Sequence, residues 1–342
     1  MKEIDPKRSA VTMVDVAEAA GVSAITVSRS IRRPELVSEE ARLRVAAAIE
    51  RLGYVPDAAA SALASKRTDV VGLLVPSLTN SVFSEVLRGI YDAVEETPYS
   101  VQIGNFRYSP SGEERLIRTF LRQKPAGMIV AGLDQTDSSR AMLERAECRV
   151  VQIMDQGPAP VDLAIGFSHR DGAVSAVEHL LEQGYERIGF MGARMDPRSQ
   201  RRLAGFTEAL KARGLFEARR VVTTPAASTV GLGGQLLGDL LARAPEVDAV
   251  FCNNDDLAAG ALLEAARRGI EVPRQLGICG FNDLEMSRFL NPALSSVATP
   301  RYRIGRGALE LLMQVIDAPE EKPEAVDLGT EIKARASTAR RG

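Results

Sequence analysis

Apolar positions along residues 11–55 recur every three or four places, and from Val70 the pattern changes to short apolar runs separated by longer amphipathic stretches. The first region reads as three short helices. Met13–Ala20 follows Thr12, with Asp15 three places on, a pairing able to satisfy free amides at a helix start. Gly21 ends it. Ser23 can cap a second helix over Ala24–Ile31, and Pro34 separates a third over Glu39–Leu52, capped by Ser38 and stopped by Gly53. Leu43, Val45, Ala46, Ile49 and Leu52 form the expected buried stripe of the third helix.

Beyond Val70, strands predicted at Val70–Val75, Val101–Gly104, Gly127–Ala131 and Val150–Met154 alternate with helices at Phe83–Glu96, Glu113–Gln123 and Ser138–Ala146. A second series alternates helices at Val174–Gln183, Leu203–Arg213, Leu236–Arg243 and Leu257–Arg268 with strands at Arg187–Met191, Arg220–Thr223, Ala249–Cys252 and Leu276–Cys279. This alternation predicts an α/β body of parallel sheets flanked by helices, and two series predict two lobes with a cleft between them. The tail, a helix at Arg301–Ile316 and a strand near Ala325–Leu328, is expected to cross back between the lobes. The expected organisation is an all-α headpiece over 1–56, a linker over 57–67 and a body over 68–342. In the body the first lobe takes 68–167 and 299–328, and the second takes 168–298 and 329–342.

Composition removes several function classes. No apolar run reaches the roughly 20 residues of a membrane helix, and the charged first residues, Met1 to Ala10, lack the apolar core of a secretory leader. A cytoplasmic protein with no membrane partner is expected. Cys148, Cys252 and Cys279 show no metal-ligand spacing. His169 and His179 are the only histidines, with no nucleophile motif beside them, and the Gly231–Gly238 cluster lacks dinucleotide-fingerprint spacing. No catalytic residue, metal or cofactor is expected. Residues 1–67 carry 11 basic against 9 acidic side chains, an excess too small to identify a nucleic-acid partner by charge alone.

The headpiece pattern is more telling. Two tightly crossing helices need small residues on the inner face of the first, which Ala17 and Ala20 supply, and a turn residue able to take positive φ, which Gly21 supplies. Val27 is placed to pack back onto the first helix. The outer face of the second then offers Ala24, Ile25, Ser28 and Arg29 to a major groove, Arg29 for guanine or phosphate and Ile25 and Ala24 for thymine methyls. Thr12, Ser23, Thr26 and Arg32 complete the candidate DNA-facing set. The competing reading is an ordinary three-helix bundle. In the body, ligands bind beyond the carboxyl ends of parallel strands. Ser77 and Asn80, Asp155, Arg194 and Arg202, Asn254 and Asp255, and Asn282 follow successive predicted strands, and Phe83 completes the candidate ligand set. Such Asn, Asp and Arg groups suit a polyhydroxylated ligand, and arginine's fork suits a carboxylate. Asn254 or Asp255 could equally cap the helix that follows, and Arg194 could be a solvated loop charge.

Val14-Asp15-Val16-Ala17-Glu18-Ala19-Ala20-Gly21-Val22-Ser23, then Thr26-Val27-Ser28-Arg29 and Gly53-Tyr54-Val55-Pro56, resemble the start of the LacI family of bacterial repressors. The resemblance continues through Gly205-Phe206, Asn254-Asp255 and Gly280-Phe281-Asn282-Asp283. It implies periplasmic-binding-protein-like lobes and a homodimer on double-stranded, pseudo-palindromic operator DNA, associated with the nucleoid. It also implies that Asp57–Ser65, alanine-rich but too short to be a stable isolated helix, forms a hinge helix whose Leu63 wedges into the minor groove. Arg202 matches a ligand-binding arginine of the family, and Asp155 and Asn254 match pocket positions. Ala226 stands where purine- and galactoside-responsive members carry an aromatic platform, and Asn282 where many sugar-binding members carry an acid, which favours an anionic ligand. The stretches 75–80, 86–90, 192–196 and 251–258 resemble the gluconate-responsive members, implying a sugar-acid inducer such as gluconate or ketogluconate. Corepression by the ligand, or a neutral-sugar effector, is the alternative. The chain ends at Gly342 without a leucine-heptad tail, so a dimer rather than a tetramer is expected.

Overall fold

The computed structural model describes residues 11–32, 34–55, 67–157, 159–318, 320 and 324–340. Two units separate, Met1–Thr68 and Asp69–Gly342. The alanine-rich stretch 57–65, with Leu63, lies outside the described residues.

In the first unit, α1 spans Met13–Ala20, α2 Ala24–Arg32 and α3 Glu39–Leu52, with a short 3-10 turn at Pro34–Leu36. Thr12 and Asp15 close a reciprocal cap: the Asp15 amide donates to Thr12 Oγ1 at 3.4 Å and the Thr12 amide to Asp15 Oδ2 at 2.7 Å. Gly21 takes φ 64°, which lets its own amide reach back to Glu18 and that of Val22 to Ala17. Val16, Ala17, Ala20, Val27, Val45, Ala48 and Tyr54 form the small core. The expected stripe on α3 needs correction. Ala41, Val45 and Ala48 are buried, whereas Leu43 is 63% exposed and Ala46 is exposed. At about 100° per residue, Leu43 lies roughly 200° around the helix from Ala41 and therefore faces away from the core.

The second unit holds two six-stranded sheets. The first contains β1 (Val70–Val75), β2 (Ser100–Asn105), β3 (Gly127–Ala131), β4 (Arg149–Ile153), β5 (Leu163–Gly166) and β11 (Val326–Asp327), in the order β11-β5-β4-β3-β1-β2. The second contains β6 (Ile188–Ala193), β7 (Val221–Thr224), β8 (Ala249–Cys252), β9 (Gly277–Asn282), β10 (Ser295–Ala298) and β12 (Glu331–Lys333), in the order β12-β10-β9-β8-β6-β7. Pairing is parallel throughout except between β10 and β12. The intervening helices are α4 (Val82–Val94), α5 (Pro110–Arg122), α6 (Asp137–Glu144), α7 (His169–Glu182), α8 (Pro197–Ala212), α9 (Val230–Arg243), α10 (Asp255–Arg267) and α11 (Arg301–Asp317). The chain passes from one sheet to the other after β5, after β10 and after β11. Apolar strands with buried faces on both sides, such as β3 and β9, follow from the helical cover of each sheet.

Helices α7, α8 and α9 begin five or more residues before the apolar periodicity that predicts them. Their first turns are polar or glycine-rich and are started by Ser168, Asp196 and Thr229, whose side chains accept the amides of Asp171, Ser199 and Leu232. Strands β10 and β12 carry too few apolar residues to stand out, and β5, Leu-Ala-Ile-Gly, is apolar but only four residues long.

Helices α4 and α11 meet backbone to backbone. A Cβ at Gly305 would collide with the Val86 carbonyl, and one at Gly89 with that of Tyr302. Gly305→Ala should therefore cost about 1–3 kcal/mol by overpacking. A lower urea midpoint at unchanged slope is the expected result; an unaltered midpoint would show that the helices part without cost.

Candidate functional site

On the headpiece, α2 presents Ile25, 65% exposed, and Arg29, also exposed, with Ala24, Thr26 and Ser28 half-buried beside them. Ser23 is exposed and accepts the Thr26 amide at 3.1 Å, while Thr12 is engaged by Asp15, so each of these hydroxyls also holds a helix start. Arg32 ends α2. An apolar residue, small side chains and the Arg29 cation on one face suit the edges of bases in a major groove.

In the body, a cavity lies between the carboxyl ends of the two sets of strands. Asn80, Phe83, Arg194, Arg202, Asn254 and Asn282 all line it, together with Tyr108, Met154, His169, Asp196, Arg198, Ser199, Ser228 and Asp256. Ser77 and Asp155, expected among the lining residues, do not line it. Ser77 Oγ instead accepts the amides of Thr79 and Asn80 and shapes the turn that delivers Asn80. Asp155 is buried, and its carboxylate is held by Arg201 at 2.7 Å and by the Gln156 amide at 2.9 Å. Arg201 also bridges to Asp134 at 2.5 Å. It therefore ties the start of α8 to two loops of the other sheet. Burial, only partly opposed by Arg201, pushes the Asp155 carboxyl up to about 6.

Arg202 is the most confined cation at the cavity, 8% exposed. Its Nε and Nη2 face His169 Nδ1 at 3.3 and 3.2 Å, Nη1 donates to the Asn253 carbonyl, and the guanidinium lies 3.8 Å over the Phe281 ring. Because guanidinium can only donate, His169 Nδ1 must accept, which leaves the proton on Nε2 to donate to the Met154 carbonyl at 3.0 Å. Burial, with the charge of Arg202 beside it, drives the His169 imidazolium well below its ordinary range, so the ring is neutral. Burial also lowers Arg202 to about 10, still cationic at neutral pH.

Asp196 starts α8, accepts the Ser199 amide at 3.0 Å and pairs with Arg198 at 3.0 Å. Burial works against its charge, but Arg198 and the Ser199 amide outweigh it and hold the carboxyl below the usual range. Asn254 caps α10 through the Leu257 amide at 3.1 Å and accepts from Ser228 Oγ at 2.8 Å, so the capping reading is realised by a side chain that also lines the cavity. Asp255 faces away from it and accepts from the Leu284 amide and Ser296 Oγ, both at 2.6 Å. Asn282 sits at φ 110°, and its buried Oδ1 has no partner among the described residues. Three guanidiniums against the carboxylates of Asp196 and Asp256 leave the lining cationic, and burial raises the Asp256 carboxyl, weakening its share of negative charge. Tyr108, His169, Arg198 and Ser228 escaped the sequence reading. Tyr108 could have been found as the aromatic just past a strand end, His169 and Arg198 as polar residues in the first turns of helices, and Ser228 as the hydroxyl just before a capping threonine.

A family model described as bacterial regulatory proteins, lacI family, matches residues 12–57, and one described as a periplasmic binding protein-like domain matches 177–338. The chain is 44% identical to the HTH-type transcriptional regulator GntR of Pseudomonas aeruginosa over 96% of this chain and 95% of that protein. It is similar to a crystal structure of a LacI family transcriptional regulator from Silicibacter pomeroyi, at 39% identity and TM-score 0.90, covering 96% of this chain and 100% of the other. The lac repressor dimer bound to operator and an anti-inducer matches at 26% identity and TM-score 0.84, over 96% of this chain and 99% of that one.

The folded Asp155 carboxyl, at about 6, lies above its ordinary 3.8. Between those values the folded state holds a proton that the unfolded state has lost. The stability contributed by this group is therefore present at low pH and lost as pH rises from about 4 to 6. Carboxyl carbon NMR should show a midpoint near 6 that moves higher in Arg201→Gln; an unchanged midpoint would mean that the pair does not interact.

Proposed function

Because the chain belongs to the lacI family of bacterial regulatory proteins, and is a helix-turn-helix transcriptional repressor rather than an enzyme, we propose that it binds a pseudo-palindromic operator as a homodimer and is released by a small sugar acid, gluconate or ketogluconate. The observation that carries the effector is the cationic cleft lining, in which guanidiniums outnumber carboxylates while Asn80, Asn254, Asn282 and Ser228 offer partners for hydroxyls. The 44% identity to a regulator named GntR supports the same reading, and the operator-bound dimer of a related repressor supports the assembly. It works in the cytoplasm, at its operator.

Two headpieces related by a two-fold axis would read two half-sites, with Ile25 and Arg29 toward the base edges and Thr12, Ser23 and Thr26 near the backbone. The effector would sit among groups from both sheets and favour one arrangement of the lobes. That preference is read out as a change in the affinity of the headpieces for DNA. To move a population from 99:1 to 1:99 the effector must prefer one state by about 5.5 kcal/mol.

Calorimetry with purified protein should show gluconate or ketogluconate binding where glucose and hypoxanthine do not. Fluorescence anisotropy on a duplex selected by the protein from a random library should show at least tenfold weaker binding with saturating acid. Silence toward every sugar acid removes the effector assignment, and tighter DNA binding makes the ligand a corepressor. Arg202→Ala should abolish the response and leave DNA affinity within threefold; equal loss of both would make Arg202 structural. Leu63→Ala should weaken binding to the selected duplex far more than to random DNA.

A further inference from the structure

Three guanidiniums line the cavity, and they differ in what already occupies them. Arg198 is paired with Asp196, and Arg202 donates to His169 and to the Asn253 carbonyl. The Arg194 guanidinium has no acceptor among the described residues; its backbone amide is anchored on the Ala226 carbonyl at 2.8 Å. Its carbon lies 3.8 Å over the ring of Tyr108, which comes from the other sheet at the end of β2. The Tyr108 hydroxyl accepts from Asn80 Nδ2 at 3.0 Å. Both residues sit in the left-handed region, Tyr108 at φ 57° and Arg194 at 64°, and so do their neighbours Arg107 and Met195. Such backbone is sparsely populated by non-glycine residues and persists where surrounding contacts enforce it.

A ring stacked on a guanidinium covers a face and leaves the donors, which lie in the plane, free at the edge. Carboxylates are bound bidentately at that edge. The ring also attracts the cation without neutralising it, as an aspartate would. We propose that Tyr108 is the positioning residue for effector specificity: by stacking on Arg194 across the cleft, it holds an unspent guanidinium ready for the carboxylate of the sugar acid. This rests on the sugar-acid reading and assigns the acid group to Arg194 rather than to the more buried Arg202. Recognition of the anion then requires the two lobes to be brought together, because the cation and the ring that orients it come from different sheets.

The test compares gluconate with the neutral alditol glucitol by calorimetry. Tyr108→Leu should lower the preference for the acid at least tenfold, and Tyr108→Phe should keep it within threefold, since the ring remains. Arg194→Gln should lose the preference, and Tyr108→Leu added to Arg194→Gln should lose no more. Circular dichroism on each variant checks that the fold is kept. An unchanged acid preference in Tyr108→Leu, or full additivity in the double variant, overturns the assignment. Wild-type protein that binds no sugar acid would instead defeat the underlying effector reading, and this assignment with it.

Discussion

Burial of the Arg202 charge without a touching carboxylate constrains the groups that surround the cavity. Among the described residues no ion pair forms at this guanidinium; its charge is met by a neutral imidazole, a backbone carbonyl and the face of Phe281. A buried cation whose direct contacts are neutral dipoles is costly relative to water, and the more distant carboxylates of Asp196, Asp255 and Asp155 offset only part of that cost. The surroundings consequently fix several other things. His169 is neutral, and its Nε2 proton goes to the carbonyl of Met154, a residue whose backbone takes φ 70° just past the end of β4. The local arrangement around the cavity is in that sense set by one buried charge.

The supporting scaffold is a convergence of helix starts. Ser168, Asp196, Thr229 and Asn254 begin α7, α8, α9 and α10 next to the cavity, each accepting an amide from its helix. The aligned peptide dipoles add partial positive charge at those ends. Side chains in the first turns therefore reach the ligand space from rigid elements rather than from loops, and Arg198, Ser199 and Arg202 are fixed relative to one another by the pitch of α8. Arg201 on the same helix points to the other sheet, so one helix carries both ligand-facing groups and a clasp between the lobes.

Much of the architecture could be read directly from residue order. Strands β1, β3 and β8 and helices α1 and α3 have the bounds that hydrophobic runs and capping residues predict, because those elements are specified by local chemistry. What escaped is non-local. Strand β10, Ser-Ser-Val-Ala, is polar on paper but buried because its serines bond to Arg335, Ser337, Thr338 and Asp255 far along the chain. Asp155 looks like a ligand group by position, yet its charge is spent on Arg201, a partner that only the meeting of the lobes reveals. Tyr108 is an ordinary loop aromatic until Arg194 arrives from the other sheet. Leu43 misled because the helix has two plausible apolar stripes, and packing chose the one with alanine.

The three passages of the chain between the sheets bear on biosynthesis. The first sheet is finished by β11, and its face is covered by α11, both made only after the entire second sheet apart from its edge strand β12 has been translated. At ~5–20 residues per second, the ribosome needs roughly 7–30 seconds to go from the end of β5 to the start of α11. During that interval β5 has an open edge, and the apolar surface that Leu309 and Leu312 later cover is bare. A nascent chain of this topology therefore holds an incomplete first sheet until α11 and β11 have been made.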